Sequence, residues 1–470
     1  MNSHSSLPYK KLLLCALAGF SSGMPFFFFI SLLPLWLRSY HTVFHIWQFF
    51  SNFPPAYAII YIEPLRQVLH GVYFIAPSIA LKYIGFLNFL QFSYIIKFLW
   101  APIVDRFCPF GIERRLGWML LTQSCLFVVM IAYGQIDPSK QLNLVVFLSF
   151  LLILFSATQD IALDAFRREI LMDAELGLGN AVAVTAYRFS MLVPGSFALV
   201  LSDHLPCSYV FFITALFMLI SPLLIVLCHK PTHHMIPAAQ TWRAIFWTPW
   251  QEYWQRRGKQ QLIYMLAFFI LYKLGDTIAV ALANIFYHDM GYSRALIGEV
   301  AQYAQIAASI VGGLLSGSLM LKIGINRALW VFGIVQCTSI LGYIWLSSFG
   351  YFEAIGLRQI IYLAAVVIYE YLGIGLGTAA FIAYMAKESS SSYAGAQLAF
   401  FSAIAAIPRA FISPASGWLV EQYGYYHYFW ICFFLAIPGM LILFKIAPWK
   451  EGNVCLLYTS DAADERSSVD

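Results

Sequence analysis

The chain has 470 residues, 61% of them hydrophobic and 11% charged, with a formal net charge of +5. That balance excludes an ordinary soluble domain, where about a quarter of residues are charged, and so small a net charge requires no nucleic-acid partner. The eight cysteines form no Cys-x-x-Cys pair, so no disulfide framework, metal site or cofactor is expected.

Apolar windows of the roughly 17–25 residues that a helix needs to cross a bilayer recur along the chain. Twelve are expected: Leu12–Leu37, Leu81–Val104, Leu116–Tyr133, Leu142–Phe166, Ala181–Leu201, Ser208–Leu227, Leu262–Phe286, Ala295–Met320, Ala328–Leu346, Ile360–Met385, Gln397–Leu419 and Tyr428–Phe444. The first begins like a lipoprotein leader ending at Cys15, but its apolar run continues well past a leader's length, so it reads as a span. With the N-terminus in the cytoplasm, seventeen Lys and Arg fall on the cytoplasmic side and six on the other. This positive-inside bias puts both termini in the cytoplasm.

The fourth window closes on Phe155–Glu169, which carries Gln159, Asp160, Asp164, Arg167 and Arg168. Helical spacing lines Asp160, Asp164 and Arg168 on one face. Carboxylates facing lipid cost several kcal/mol, so this face is expected to look into a bundle interior or a wet cavity. Two readings of Asp160 stand together: a carboxyl that takes up and releases a proton, or a latch paired with Arg106 or Arg167 near the membrane edge. Asp164, Arg167 and Arg168 fit a boundary gate or anchor.

Arg188 and Arg409 lie inside apolar windows and suit the gripping of a carboxylate by two hydrogen bonds. An ion pair with Asp160 is the structural alternative for them. Lys273 and Asp276 are one turn apart, as a self-neutralising pair or a site residue with its partner. Lys97 stands alone in the second window, either snorkelling or facing a cavity. Among many aromatics, Tyr187 and Phe26–Phe29 could stack on a sugar ring. Gly19-x-x-x-Gly23, Gly313-x-x-x-Gly317 and Gly373-x-x-x-Gly377 have the spacing of close helix contacts.

The two halves repeat one another. Arg168-Glu169 answers Lys387-Glu388, 219 residues on; Arg188 answers Arg409 at 221; Arg106 answers Lys322 at 216; Ile84-Gly85 answers Ile297-Gly298 at 213. Gly23 answers Gly275 at 252, so about 39 extra residues lie between the first and second windows, near 40–78. The expected organisation is an N-terminal six-helix half (1–229), a cytoplasmic linker (230–261) that lies against headgroups, a C-terminal half (262–449) and a tail (450–470). From Cys455 onward the tail reads as the translation of a sequencing adaptor.

Twelve helices in two similar halves, with Asp105-Arg106 and Arg114-Arg115 between the second and third, resemble the major facilitator superfamily, although Phe107–Glu113 widens that loop signature. Three stretches resemble its muropeptide permease family, AmpG: Lys97–Arg106, Ser156–Ala165, and Gly177–Asn180 followed by Tyr187-Arg188. Ala406-Ile-Pro-Arg409 is similar to that family's eleventh helix. The resemblance implies an all-α polytopic fold of two six-helix halves around a central cavity. It also implies proton-coupled import of anhydromuropeptides (GlcNAc-anhydroMurNAc with or without peptide) across the bacterial inner membrane. Asp160, with Gln159 and Asp164, would couple protons to cargo. Arg188, Arg409, Lys273, Asp276, Lys97 and Tyr187 would bind it. Asp105, Arg106, Arg114, Arg115, Arg167, Arg168, Lys322 and Lys387 would gate. The expected partners are the small-molecule cargo, protons and the bilayer, with the protein a monomer and not an enzyme. Rival readings are an acetyl-coenzyme A-type carrier, a non-transporting sensor and a membrane transferase.

Overall fold

The computed structural model describes residues 9–33, 36, 92–138, 140–202, 204–228, 242–293, 296–408 and 416–449. The segment at 40–78, Arg409, the linker histidines at 229, 233 and 234, and the tail from 450 lie outside them.

Among the described residues every regular element is helical, as hydrocarbon demands of a chain that must satisfy its own backbone. The helices are α1 (Tyr9–Phe27), α2 (Ser93–Ile96), α3 (Ala101–Arg106), α4 (Arg114–Tyr133), α5 (Leu142–Ile170), α6 (Leu176–Ser190), α7 (Ala198–Ser202), α8 (Cys207–Cys228), α9 (Trp242–Arg257), α10 (Lys259–Leu271), α11 (Leu274–Ala281), α12 (Ala283–Asp289), α13 (Gln302–Ser347), α14 (Leu357–Glu388), α15 (Ala394–Ile407) and α16 (Ser416–Ile446).

Nine helical stretches among the described residues are long and apolar enough to cross a membrane. Each of the twelve expected windows contains helix. The stretch Ile297–Ser347 has 51 residues, about 75 Å of helix against a ~30 Å core, so it crosses twice. It breaks at Gly324, whose φ of 78° suits glycine and strains other residues. Gly424, at φ 73°, breaks α16 in the same way.

The chain divides into two compact units. The first comprises Met1–Met172, Val182–Pro249 and Ser389–Ala403; the second comprises Asp173–Ala181, Trp250–Glu388 and Ile404–Asp470. In the first unit, α1, α4, α5 and α8 enclose a core built on Phe28, Phe29, Trp36, Tyr133, Leu152 and Phe211. Buried Tyr133 satisfies its hydroxyl against Ser149 Oγ at 2.7 Å, as an aromatic with a polar tip must. The other core of this unit joins Leu14, Val104, Leu116, Phe166 and Ala399. In the second unit Phe286, Tyr287, Tyr343, Val367, Tyr428 and Phe429 stack together. On α8, Leu223 and Leu227 face outward while Val210 and Met218 are buried. A helix that is apolar on both faces belongs in lipid.

All three glycine pairs make close contacts, Gly317 against Ala181 and Leu178, and Gly313 against Gly375. A Cβ on Gly19 would strike the Ala183 backbone, and one on Gly23 would strike Ser190 and Tyr187, so α1 lies directly on α6. In the second unit Gly312 meets Leu372 and Gly375, and Gly373 and Gly377 meet Gln336. Removing such a contact by adding volume is expected to cost about 1–3 kcal/mol. Gly19→Leu should therefore lower the detergent-solubilised melting temperature, whereas Gly195→Ala, whose Cβ would meet only Met191 Cγ at 4.0 Å, should leave it unchanged.

Candidate functional site

Helix breaks position the charges inside the bundle. The second span runs as α2, then a tighter turn at Lys97–Leu99, then α3. Lys97 sits at that break, is 4% exposed, and places its ammonium 3.6 Å from Asp160 Oδ2 on α5. Ser22 on α1 donates to the other oxygen, Asp160 Oδ1. Asp160 thus joins three spans, and the groups in contact with it are Lys97 and Ser22, with the charge of Arg167 acting from farther off. Arg167 itself pairs with Asp164 one turn away on α5. Lys97 does not snorkel, because a short route to Asp160 lies inside.

Beside Asp160, Gln159 is wholly buried and donates to Ser21 O at 3.1 Å and to Ser21 Oγ at 2.7 Å. Gln123 on α4 donates to the same hydroxyl oxygen. Two amides and a carboxylate therefore hold the Ser21-Ser22 step of α1. Aromatic rings cover the polar centre: Tyr94 lies 5.9 Å from the Lys97 ammonium and bonds Ser156 Oγ at 2.5 Å. Phe26 packs on Tyr94 at 5.7 Å and on Tyr187 at 6.5 Å. Arg188, next to Tyr187 on α6, is half-buried. The first unit thus gathers Lys97, Gln159, Asp160 and Tyr187.

A separate charge cluster forms at the ends of α3, α4 and α5. Wholly buried Arg115 reaches Asp105 and Glu169, each at 2.7 Å. Its Nε donates to Glu169 at 2.8 Å, while Nη2 lies between the two carboxylates and pairs with both. Arg114 pairs with Glu169 at 3.0 Å and bonds the Asp105 carbonyl at 2.6 Å. The Asp105 carboxylate also accepts from Gly395 N and Ala396 N, at 3.2 and 2.7 Å, in the first turn of α15. A carboxylate at a helix N-terminus meets unpaired N–H groups and the positive end of the dipole. Arg168 donates to Ser389 O at 3.2 Å, and Arg106 stacks over Phe107.

In the second unit Lys273 and Asp276 form the expected pair at 3.0 Å. Lys273 occupies the break between α10 and α11, with ψ at 3°. Lys387 donates to Asn326 at 3.2 Å, and Lys322 is exposed. Glu388 binds Arg257 at 3.1 Å and Tyr253 at 3.3 Å. Burial and the Glu388 charge push the Tyr253 phenol above its ordinary pKa, so it stays a neutral donor.

Sequence reasoning missed several of these groups. Ser22, Gln123, Glu169 and Glu388 act as partners across helices, which spacing along one helix does not show. Glu370, wholly buried in α14, is a further such group, and a carboxylate inside the window Ile360–Met385 is the signal that could have found it.

Comparison with known proteins adds to this geometry. The Major Facilitator Superfamily model matches residues 15–413. The anhydromuropeptide permease of Escherichia coli K12 is 34% identical over 368 residues, covering 78% of this chain and 73% of that protein. The chain belongs to the major facilitator superfamily, in its AmpG-type branch. An uncharacterized protein of Haemophilus influenzae is 42% identical, covering 96% of this chain and 98% of its own. Putative transporter AmpG 1 of Rickettsia conorii is 29% identical over 78% of this chain and 90% of that one. Among solved structures, FucP in its outward conformation superposes with a TM-score of 0.63 at 12% identity, covering 93% of this chain and 99% of that one. The human organic anion transporter MFSD10 superposes at 0.65 with 14% identity, over the same shares; both likenesses speak to fold. As a superfamily member the chain is a multi-pass membrane transporter of a small molecule, not an enzyme.

Removing one partner of a buried ion pair costs about 3–5 kcal/mol. Arg115→Ala, which takes the ionic partner from Asp105 and leaves Glu169 only Arg114, is expected to lower the melting temperature of purified protein well beyond Arg114→Ala, since Arg114 is partly exposed.

Proposed function

We propose that this transporter imports anhydromuropeptides, GlcNAc-anhydroMurNAc with or without peptide, coupled to protons across the bacterial inner membrane, with both termini in the cytoplasm. The observation that carries the proposal is the pairing of buried Lys97 with half-buried Asp160, bonded to Ser22 beside the rings of Phe26, Tyr94 and Tyr187. Its cargo is suggested by the 34% identity to the E. coli anhydromuropeptide permease.

The Lys97 ammonium lies beside the Asp160 carboxyl, and protonation of Asp160 would free Lys97 to meet an anionic group of the cargo. Aromatic faces suit the apolar faces of sugar rings. Arg188 is assigned to the lactyl or peptide carboxylate, which a guanidinium grips with two parallel hydrogen bonds; Arg409 is assigned the equivalent role by the repeat. In the boundary cluster, Asp105, Arg106, Arg114, Arg115, Arg167 and Arg168 are assigned to gating, with Lys322 and Lys387 as their counterparts in the other half.

Vesicles carrying the protein should accumulate labelled GlcNAc-anhydroMurNAc when a proton gradient is imposed. Asp160→Asn should abolish that accumulation. Because the substitution also strands Lys97, the Asp160→Asn/Lys97→Met pair is made alongside: it should restore thermal stability without restoring uptake. Uptake at the normal rate by either protein would remove Asp160 from the mechanism, and chemical conversion of the cargo would remove the transport reading. Arg188→Lys should weaken uptake about tenfold or more by losing the two-pronged grip; an unchanged half-saturating concentration would show that Arg188 does not hold the carboxylate.

A further inference from the structure

Glu370 lies thirteen residues into the 32-residue helix α14, about 20 Å from its start and therefore deep within the span. Its side chain is 0% exposed, and neither carboxylate oxygen accepts a hydrogen bond. Ser339 Oγ lies beside it and bonds the Gln336 carbonyl at 2.8 Å. That hydroxyl oxygen can accept from a protonated carboxyl. Gln336 is 4% exposed, and neither end of its amide has a partner. The Gln336 amide and the Lys273 ammonium meet at Gly377 on the same helix, where a Cβ would lie 3.8 Å from Lys273 Nζ and collide with Gln336 Oε1. Lys273 is paired with Asp276 Oδ2 at 3.0 Å, and Asp276 Oδ1 has no partner.

The charges can be counted. Titratable groups facing Glu370 are Lys273, Asp276 and Tyr287 from α10–α12, Cys337 and Tyr343 from α13, Cys432 from α16, and Tyr371 beside it. Phenols and thiols are neutral near pH 7, which leaves Lys273 and Asp276 as the charged pair. These two cancel. An ionised Glu370 would add a buried charge with no hydrogen bond, the arrangement that interiors avoid at a cost of several kcal/mol. A proton removes that cost, and the resulting O–H has an acceptor waiting in Ser339 Oγ.

We propose that Glu370 is a proton-carrying site of the second unit, with Lys273 as a movable counter-charge and Gln336 as the donor that receives the carboxylate. On release, the Glu370 O–H bond breaks, its electron pair stays on the carboxylate, and the proton passes to water. Lys273, on a flexible four-carbon stem at a helix break, then turns from Asp276 toward Glu370, and the unpartnered Gln336 N–H groups supply hydrogen bonds. Broken helices near mid-membrane commonly hold ions in transporters, because the break leaves backbone groups and side chains free to rearrange. This role rests on the transport reading above but uses different residues from the Asp160 site.

The test uses the full-length protein in liposomes. Without cargo, infrared difference spectra between acidic and alkaline buffer should contain a protonated-carboxyl C=O band that is absent from Glu370→Gln and displaced in Glu370→Asp. A band unchanged in both variants overturns the proposal. With labelled GlcNAc-anhydroMurNAc and a gradient of one pH unit, each coupled proton multiplies accumulation about tenfold, equivalent to about 1.4 kcal/mol. Glu370→Gln should therefore accumulate about tenfold less cargo than the native protein. Accumulation by Glu370→Gln to the native level overturns the proposal, as does accumulation driven by a sodium gradient in place of protons. If the native protein takes up no cargo, the function proposed above fails, and the infrared arm still decides the protonation of Glu370.

Discussion

An ionised side chain inside a bilayer has to find its counter-charge within the protein, and that requirement governs which helices of this chain touch and where they break. Lys97 and Lys273 each stand at an interruption of a span, and each meets an aspartate, Asp160 at 3.6 Å and Asp276 at 3.0 Å. An interruption lets a long side chain turn inward where an unbroken helix would carry it along the surface. The pairs are then held by whatever else can bond the carboxylate: Ser22 in the first unit, nothing further in the second, where Asp276 Oδ1 is left over. The two units therefore solve the same electrostatic problem with different degrees of satisfaction.

The span pattern was legible because the length of an apolar window is a one-dimensional property. Each of the twelve windows holds helix among its described residues, and the single-residue breaks at Gly324 and Gly424 fall between neighbouring windows, as drawn from composition. Charges within windows were equally visible: Lys97, Asp160, Lys273 and Asp276 stand out against Leu, Ile and Phe. The Lys273–Asp276 pair could even be read from its spacing. What spacing does not contain is the pairing of Lys97 with Asp160, on separate spans, or the convergence of Gln123 and Gln159 on Ser21, since uncharged polar residues are unremarkable in any one window. Glu370, between Tyr369 and Tyr371, stands out in its window in the same way, but spacing along one helix does not show that it is wholly buried beside Ser339 of another.

The internal repeat relates position more faithfully than chemistry. Glu169 and Glu388 occupy matching places at the ends of α5 and α14, yet their basic partners come from different segments. Arg114 and Arg115 follow the second span and hold Glu169. Arg257, at the end of α9, holds Glu388, with Tyr253 adding a hydrogen bond. The stretch expected to float against headgroups thus supplies structural anchors: Tyr253 is buried and Gln397 donates to Pro249 O at 2.9 Å. A carboxylate at the end of a long helix, facing the wrong end of the dipole, needs cations nearby, and either half has found them locally.

The abruptness of the break at Gly324 has a practical side. Where two helices are joined at one non-helical residue, a protease, an antibody or an epitope tag finds little irregular chain to act on. Biochemical mapping of this face will have to rely on single-cysteine labelling of neighbours such as Lys322 and Arg327, both exposed, rather than on insertions.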